Sequence, residues 1–315
     1  MSNSANNPLK GKSLVSLADL SVGELTLILD TAAKVKKNPG EYRTRFAGKT
    51  LAMIFQKPSL RTRVSFEAGM TQMGGHAIYL GPSDISIGKR ETTEDIALVL
   101  SRMCDIIMAR TFGHDIVVDL AKYATVPVIN GLSDFSHPCQ ILADLQTVVE
   151  RRGKLAGLRF TYLGDGNNVA HSILFGGALG GMHVSIVTPE GFEPDAAVVK
   201  RAGEIASKTG GSARVLRDVR EGAKNADVLY TDVWAGMGQE ADAERRKQHF
   251  VPYQLNMDVL KLANPDCVVL HCLPAHYGDE ISYDVTRTKN SAIFDEAENR
   301  LHAQKALMLL LAGAA

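Results

Sequence analysis

Short runs of β-branched and apolar residues alternate with longer stretches of helical periodicity along nearly the whole chain, and this rhythm constrains the fold more than any other feature. Strand, helix and strand in repeated succession build parallel βαβ units, so the fold class is α/β. The predicted strands of the first half are "TLAMIF" (50–55), "HAIYL" (76–80), "DIIMAR" (105–110) and "VPVIN" (126–130). Those of the second half are "RFTYLG" (159–164), "HVSIVT" (183–188), "DVLYT" (227–231) and "CVVLHC" (267–272). Between the two sets, Ile141, Leu142, Leu145, Val148 and Val149 recur at helical spacing until "RRGK" breaks the pattern. A chain of 315 residues exceeds what one core usually serves. The expectation is therefore two doubly wound domains, 1–150 and 151–295, each with a mainly parallel sheet, joined by interdomain helices.

Charge narrows the function. Lys plus Arg equals Asp plus Glu at 35 each, so no global field draws the molecule to nucleic acid or to an anionic membrane, and any anion binding must be local. No run approaches the ~18 apolar residues of a membrane span, and the opening residues lack a signal-peptide core, which predicts a cytoplasmic protein. Cys104, Cys139, Cys267 and Cys272 show no CxxC spacing and are read as reduced thiols. The apolar tail "ALMLLLAGAA" predicts a docked helix.

In open parallel sheets ligands bind beyond the carboxyl ends of the strands, and polar residues gather there repeatedly. After the first strand, Pro58 and Ser59 read as a helix entry, with Phe66, Met70 and Met73 as its buried face. Leu60, Arg61 and Thr62 then form the first turn, where free N–H groups and the helix dipole meet hydroxyls and a guanidinium. Basic residues oppose the dipole in a first turn, so a bound phosphate explains them better than a plain capped helix does. Arg110 ends the third strand, where it suits either a surface ion pair or a grip on a carbonyl or phosphate oxygen. His137 precedes Pro138 at a helix start, and Gln140 lies one turn in; both are neutral groups fit to polarise a carbonyl, although a helix-capping histidine fits equally.

The second half offers a parallel series. "YLGDGNNVAHS" has the place of a dinucleotide loop but lacks the third glycine, so Asn167 and Asn168 suit either amides for a carboxylate or a plain turn. Asp232 opens a glycine-rich loop and could pair with an ammonium or cap a helix. Cys272 follows the last strand, as an amine-orienting thiol or a structural one. His137, Cys139, His271, Cys272 and His276 show no standard metal-ligand spacing, so no metal is expected.

Taken together, "SLRTR", "HPCQ", "DVWAGMGQE" and "HCLPAH", in this order and spacing, resemble the aspartate and ornithine transcarbamylases over essentially the full chain, with "HCLP" and the "MG" loop nearer the ornithine branch. The resemblance implies carbamoyl transfer from carbamoyl phosphate to the side-chain amine of L-ornithine without a cofactor. It implies a homotrimer, or a multiple of trimers, with active sites shared between subunits. Carried over by position, Ser59, Leu60, Arg61, Thr62, Arg110, His137, Gln140, Cys272, Leu273 and Arg300 would surround carbamoyl phosphate, with Arg110, His137 and Cys272 catalytic. Asn168, Asp232, Gly236 and Met237 would face ornithine, and 296–315 would form a C-terminal helix returning to the first domain. Two residues depart from the family pattern: Gly236 stands where a serine is usual, and Ser86 where a neighbour's inserted loop commonly carries glutamine. The alternatives are another amine acceptor, such as putrescine or an acylated ornithine, a nicotinamide dehydrogenase, or a non-catalytic anion-binding protein on the same fold.

Overall fold

The computed structural model describes residues 7–87, 90–236 and 242–315. They fall into two compact units, one comprising the described residues up to Gln146 together with Glu298–Ala315, the other Thr147–Ala297. In chain order the first unit begins with α1 (Val22–Lys37), β1 (Thr50–Phe55), α2 (Leu60–Gln72), β2 (His76–Leu80) and α3 (Thr93–Leu100). It continues with β3 (Ile106–Arg110), α4 (His114–Tyr123), β4 (Val128–Leu132) and α5 (Pro138–Arg152). The second unit holds β5 (Arg159–Leu163), α6 (Asn168–Leu179), β6 (His183–Val187), α7 (Ala196–Thr209), β7 (Ser212–Leu216) and α8 (Val219–Ala223). It closes with β8 (Val228–Thr231), α9 (Ala243–Phe250), α10 (Met257–Leu260) and β9 (Val268–His271), before α11 (Ile293–Ala312). The division between the units falls inside α5 and inside α11.

Both sheets are parallel, in the orders β2-β1-β3-β4 and β7-β6-β5-β8-β9. The α/β reading and the two-sheet architecture hold. The register aligns the carboxyl ends: Phe55 pairs with Arg110 and Arg110 with Leu132 in the first unit. In the second, Leu163 pairs with Thr231 and Thr231 with His271. Loops leaving neighbouring strands therefore start side by side, which brings their first residues together.

Two strand expectations need correction. The second sheet has five strands, not the four predicted, because β7 is an edge strand whose "SARVL" carries Ser212 and Arg214 at exposed positions and so shows no apolar run. β4 lies two residues beyond the predicted 126–130. Pro127 has no N–H for a ladder, and a bulge beside Ala109 and Arg110 passes Gly131 over, extending pairing to Leu132.

Burial follows the patterns. Phe66, Met70 and Met73 are buried beneath α2, as their spacing requires, and Leu307–Leu311 are buried on α11. In the second unit Trp234 stacks on Phe250 at 6.0 Å within a cluster that includes Leu163, Leu229 and Leu255. Phe66 has no exposed surface and anchors the helix that starts at Ser59. Phe66→Ala is expected to cost about 3–5 kcal/mol, read as a lower urea midpoint with an unchanged slope.

Candidate active site

In the first unit the site is built on the loops after β1, β3 and β4. Ser59 has extended backbone and caps α2, its Oγ accepting the Thr62 N–H at 3.3 Å and donating to Thr62 Oγ1 at 3.1 Å. The predicted helix start is thus met to the residue. Arg61 is half-buried in the first turn, whereas Leu60 points outward at 74% exposure. Arg110 is buried at the end of β3, and its carbonyl accepts the Gln56 N–H at 2.8 Å, tying the loop after β1 to β3. His137 and Gln140 are buried at the start of α5.

Arg300, seven residues into α11, reaches the same place. Its guanidinium donates to Gln140 Oε1 at 2.7 Å and to Thr62 Oγ1 at 3.3 Å, and Gln140 Nε2 in turn donates to Asp144 at 2.8 Å. Burial holds His137 well below the usual imidazole range, and the charges of Arg300, Arg110 and Arg61 press it the same way. Three guanidiniums thus gather around one neutral imidazole beside a helix N-terminus, an arrangement suited to a polyanion with a carbonyl attached. Lys57, which sequence reasoning missed, is also buried here, its ammonium 4.2 Å from the centre of the Phe112 ring. The only signal for it was a cation two residues before the cap.

The second unit gathers opposite charge. Asp232, directly after β8, accepts from Asn167 Nδ2 at 3.0 Å, from the Cys272 thiol at 2.9 Å and from its neighbour's Val233 N–H at 2.8 Å. Asn167 also caps α6 through Oδ1, and Asn168 follows it, half-buried in the first helical turn. Leu273 has left-handed backbone, φ 55°, and its N–H donates to His271 Nδ1 at 2.8 Å. That bond leaves His271 Nε2 to donate to Glu280 Oε1 at 3.0 Å, which also accepts the His276 N–H at 2.6 Å. Gly236 is half-buried, and Met237 lies outside the described residues. Ser86 is exposed in the first unit. Among the described residues no three His, Cys, Asp or Glu side chains gather as metal ligands.

Asp165 and Arg246 form a further buried pair that sequence reasoning missed, at 2.8 Å, with the guanidinium 5.0 Å from the Phe192 ring centre. Burial pushes the Asp165 carboxyl up to about 6, with Arg246 opposing and Asp232 adding to the rise. Asp232, Asp165 and Cys272 likewise act with burial to raise Tyr162 well above the phenol range, which places all four groups together at the strand ends. Gly166 of "GDG" is explained without a nucleotide: a side chain there would strike the backbone at Glu193 and Pro194, 2.1 Å from the Pro194 nitrogen.

Residues 12–150 match the carbamoyl-P binding domain of aspartate/ornithine carbamoyltransferase, and residues 156–311 match its Asp/Orn binding domain. The chain belongs to the aspartate/ornithine carbamoyltransferase family. It is 54% identical to an ornithine carbamoyltransferase of Thermococcus kodakarensis over 97% of this chain and 98% of that protein. The crystal structure of ornithine carbamoyltransferase from Gloeobacter violaceus superposes with a TM-score of 0.87 at 46% identity, over 96% of this chain and 99% of that one. The ornithine carbamoyltransferase structure from Pyrococcus furiosus gives a TM-score of 0.94 at 53% identity, over 97% and 98%.

Removing Arg246 leaves the Asp165 carboxylate buried without its guanidinium. Arg246→Ala is expected to lose about 3–5 kcal/mol near pH 8, where Asp165 is ionised in the parent protein. The loss should narrow at pH 5, below about 6, where the carboxyl carries a proton in either case and has no charge to strand. Urea denaturation of both proteins at the two pH values measures this difference.

Proposed function

We propose that the protein transfers the carbamoyl group of carbamoyl phosphate to the side-chain amine of L-ornithine, giving L-citrulline and phosphate. The observation that carries the reading is the gathering of Arg61, Arg110 and Arg300 around neutral His137 at the N-terminus of α2. The names of relatives at about half identity over nearly the full chain support the acceptor. The P. furiosus relative named anabolic favours the arginine-forming direction.

In this scheme Ser59, Leu60, Arg61 and Thr62 seat the phosphate through hydroxyls, guanidinium and helix N–H groups. Arg110 and His137, with Thr62 near, hold the carbonyl oxygen; Gln140 serves the carbamoyl nitrogen, and Arg300 fixes both Gln140 and Thr62. The neutral ornithine amine attacks the carbamoyl carbon, charge grows on the carbonyl oxygen, and the C–O bond to phosphate breaks as the leaving group takes the electron pair. A phosphate oxygen accepts the amine proton, so no side chain need act as the principal base. The transfer is redox-neutral and its leaving group is already activated, so the scheme calls on no cofactor.

Asp232 takes the α-ammonium, Asn168 the carboxylate, and Gly236 and Met237 border the amino acid; Cys272 and Leu273 complete the site. A carboxylate at position 232 favours a free α-ammonium over an acylated ornithine or a plain diamine. The homotrimer, or multiple of trimers, that the family resemblance implies belongs to the same proposal. The thiol state of the cysteines fits the reducing cytoplasm.

Carbamoyl phosphate offered with ornithine, putrescine, acetylornithine and aspartate should yield product with ornithine by a wide margin. A preference for any other amine would overturn the acceptor assignment. Arg61→Ala should lose ~3–4 kcal/mol of transition-state stabilisation with little change in urea midpoint, while Cys272→Ala should act on ornithine-dependent steps. With chemistry rate-limiting, kcat/KM for ornithine should rise from neutral to alkaline pH as the amine sheds its proton; a flat profile would count against amine attack as written.

A further inference from the structure

Two loops of the first unit start next to each other, after β3 and after β4, because Arg110 pairs with Leu132. The first carries Arg110 at its root and the second ends at His137, the two groups assigned above to the carbonyl oxygen. Their backbones are stitched by Thr111 N–H to Leu132 O and by Asp134 N–H to Phe112 O, each 2.9 Å. One side chain also bridges them. His114, first residue of α4, meets Ser133 Oγ through Nδ1 at 2.7 Å, and its ring lies 4.9 Å from that of Phe135.

Ser133 is the hub of the turn before His137. Its Oγ accepts the Ser136 N–H at 3.2 Å and lies 3.4 Å from Asn130 Nδ2, while its own N–H donates to Ser136 O at 2.9 Å. Ser133 and Ser136 are buried, so the turn has little freedom to drift. Burial lowers His114, against the pull of Asp134, Asp19 and Asp115, so the imidazole is neutral near pH 7 and the contact is a bond between neutral groups.

We infer that His114 is a positioning residue for carbamoyl transfer: by clamping the turn at Ser133 to the loop after β3, it fixes His137 relative to Arg110. The inference rests on the function proposed above. It concerns the geometry of the donors to the oxygen, not the phosphate cradle at Ser59–Thr62, which stands on a different loop. Displacing a positioned donor by a fraction of an ångström to one ångström costs about tenfold to a hundredfold in rate. His114 should therefore act on kcat and leave phosphate binding alone.

The test is a double-mutant cycle in the full-length protein. His114→Ala and Ser133→Ala should each lower kcat about tenfold with the KM for ornithine changed less than about twofold, and the double variant should be no slower than the slower single one. His114→Gln, whose amide can reach Ser133, should recover most of kcat. Inorganic phosphate, titrated calorimetrically, should bind all four variants and the parent within about twofold. Wild-type turnover in His114→Ala, multiplicative losses in the double variant, or a kcat loss that His114→Gln shares in full would each overturn the clamp. A parent protein that bound no phosphate and made no citrulline would instead sink the proposed function, a separate outcome. A urea midpoint and slope for His114→Gln close to the parent's keep the comparison among folded proteins.

Discussion

The ladder between parallel strands is the constraint from which the rest follows. Because β1, β3 and β4 run the same way in a register that aligns Phe55, Arg110 and Leu132, their loops leave one edge together. Ser59, Arg110 and His137, spread over nearly eighty positions of sequence, become neighbours without any loop having to travel. The second sheet repeats the device with Leu163, Thr231 and His271, which bring Asp165, Asp232 and Cys272 together. An antiparallel sheet would send alternate loops to opposite ends and scatter both sets.

The two clusters differ in sign, and each is tuned by what surrounds it. In the first, burial, reinforced by the guanidiniums of Arg300, Arg110 and Arg61, suppresses the ionisation of His137, which keeps one donor neutral amid strong positive charge. In the second, Asp165 is raised by burial despite a guanidinium at 2.8 Å, while Asp232 is held by an amide and a thiol. The charge balance of the whole chain, with equal numbers of acids and bases, therefore hides the concentration of guanidiniums in the first unit.

What could be read from sequence was local. Ser59 as a cap, Phe66, Met70 and Met73 as a buried face, and Pro138 at a helix start all express rules acting within a few residues, and the structure follows each. Arg110 was legible as a strand-end group and His137 and Gln140 as helix-start groups, but their convergence depends on register, and family likeness alone pointed to it. Arg300 lies 160 positions beyond Gln140, and only likeness to a family pointed to it. The Asp165–Arg246 pair and the His114–Ser133 bridge join residues 81 and 19 positions apart by side-chain contacts that leave no periodic trace. β7 escaped because an edge strand needs no continuous apolar run. That Asn167 is the cap of α6 became plain only in the structure.

The burial of Trp234 has one more consequence. It is the sole tryptophan of the chain, packed on Phe250 within the second unit and two residues beyond Asp232. Light absorbed above the tyrosine band is therefore emitted from a single address. Intrinsic fluorescence excited there reports on the packing around Trp234 in the second unit and carries no direct signal from the first, where Arg61, Arg110 and Arg300 lie.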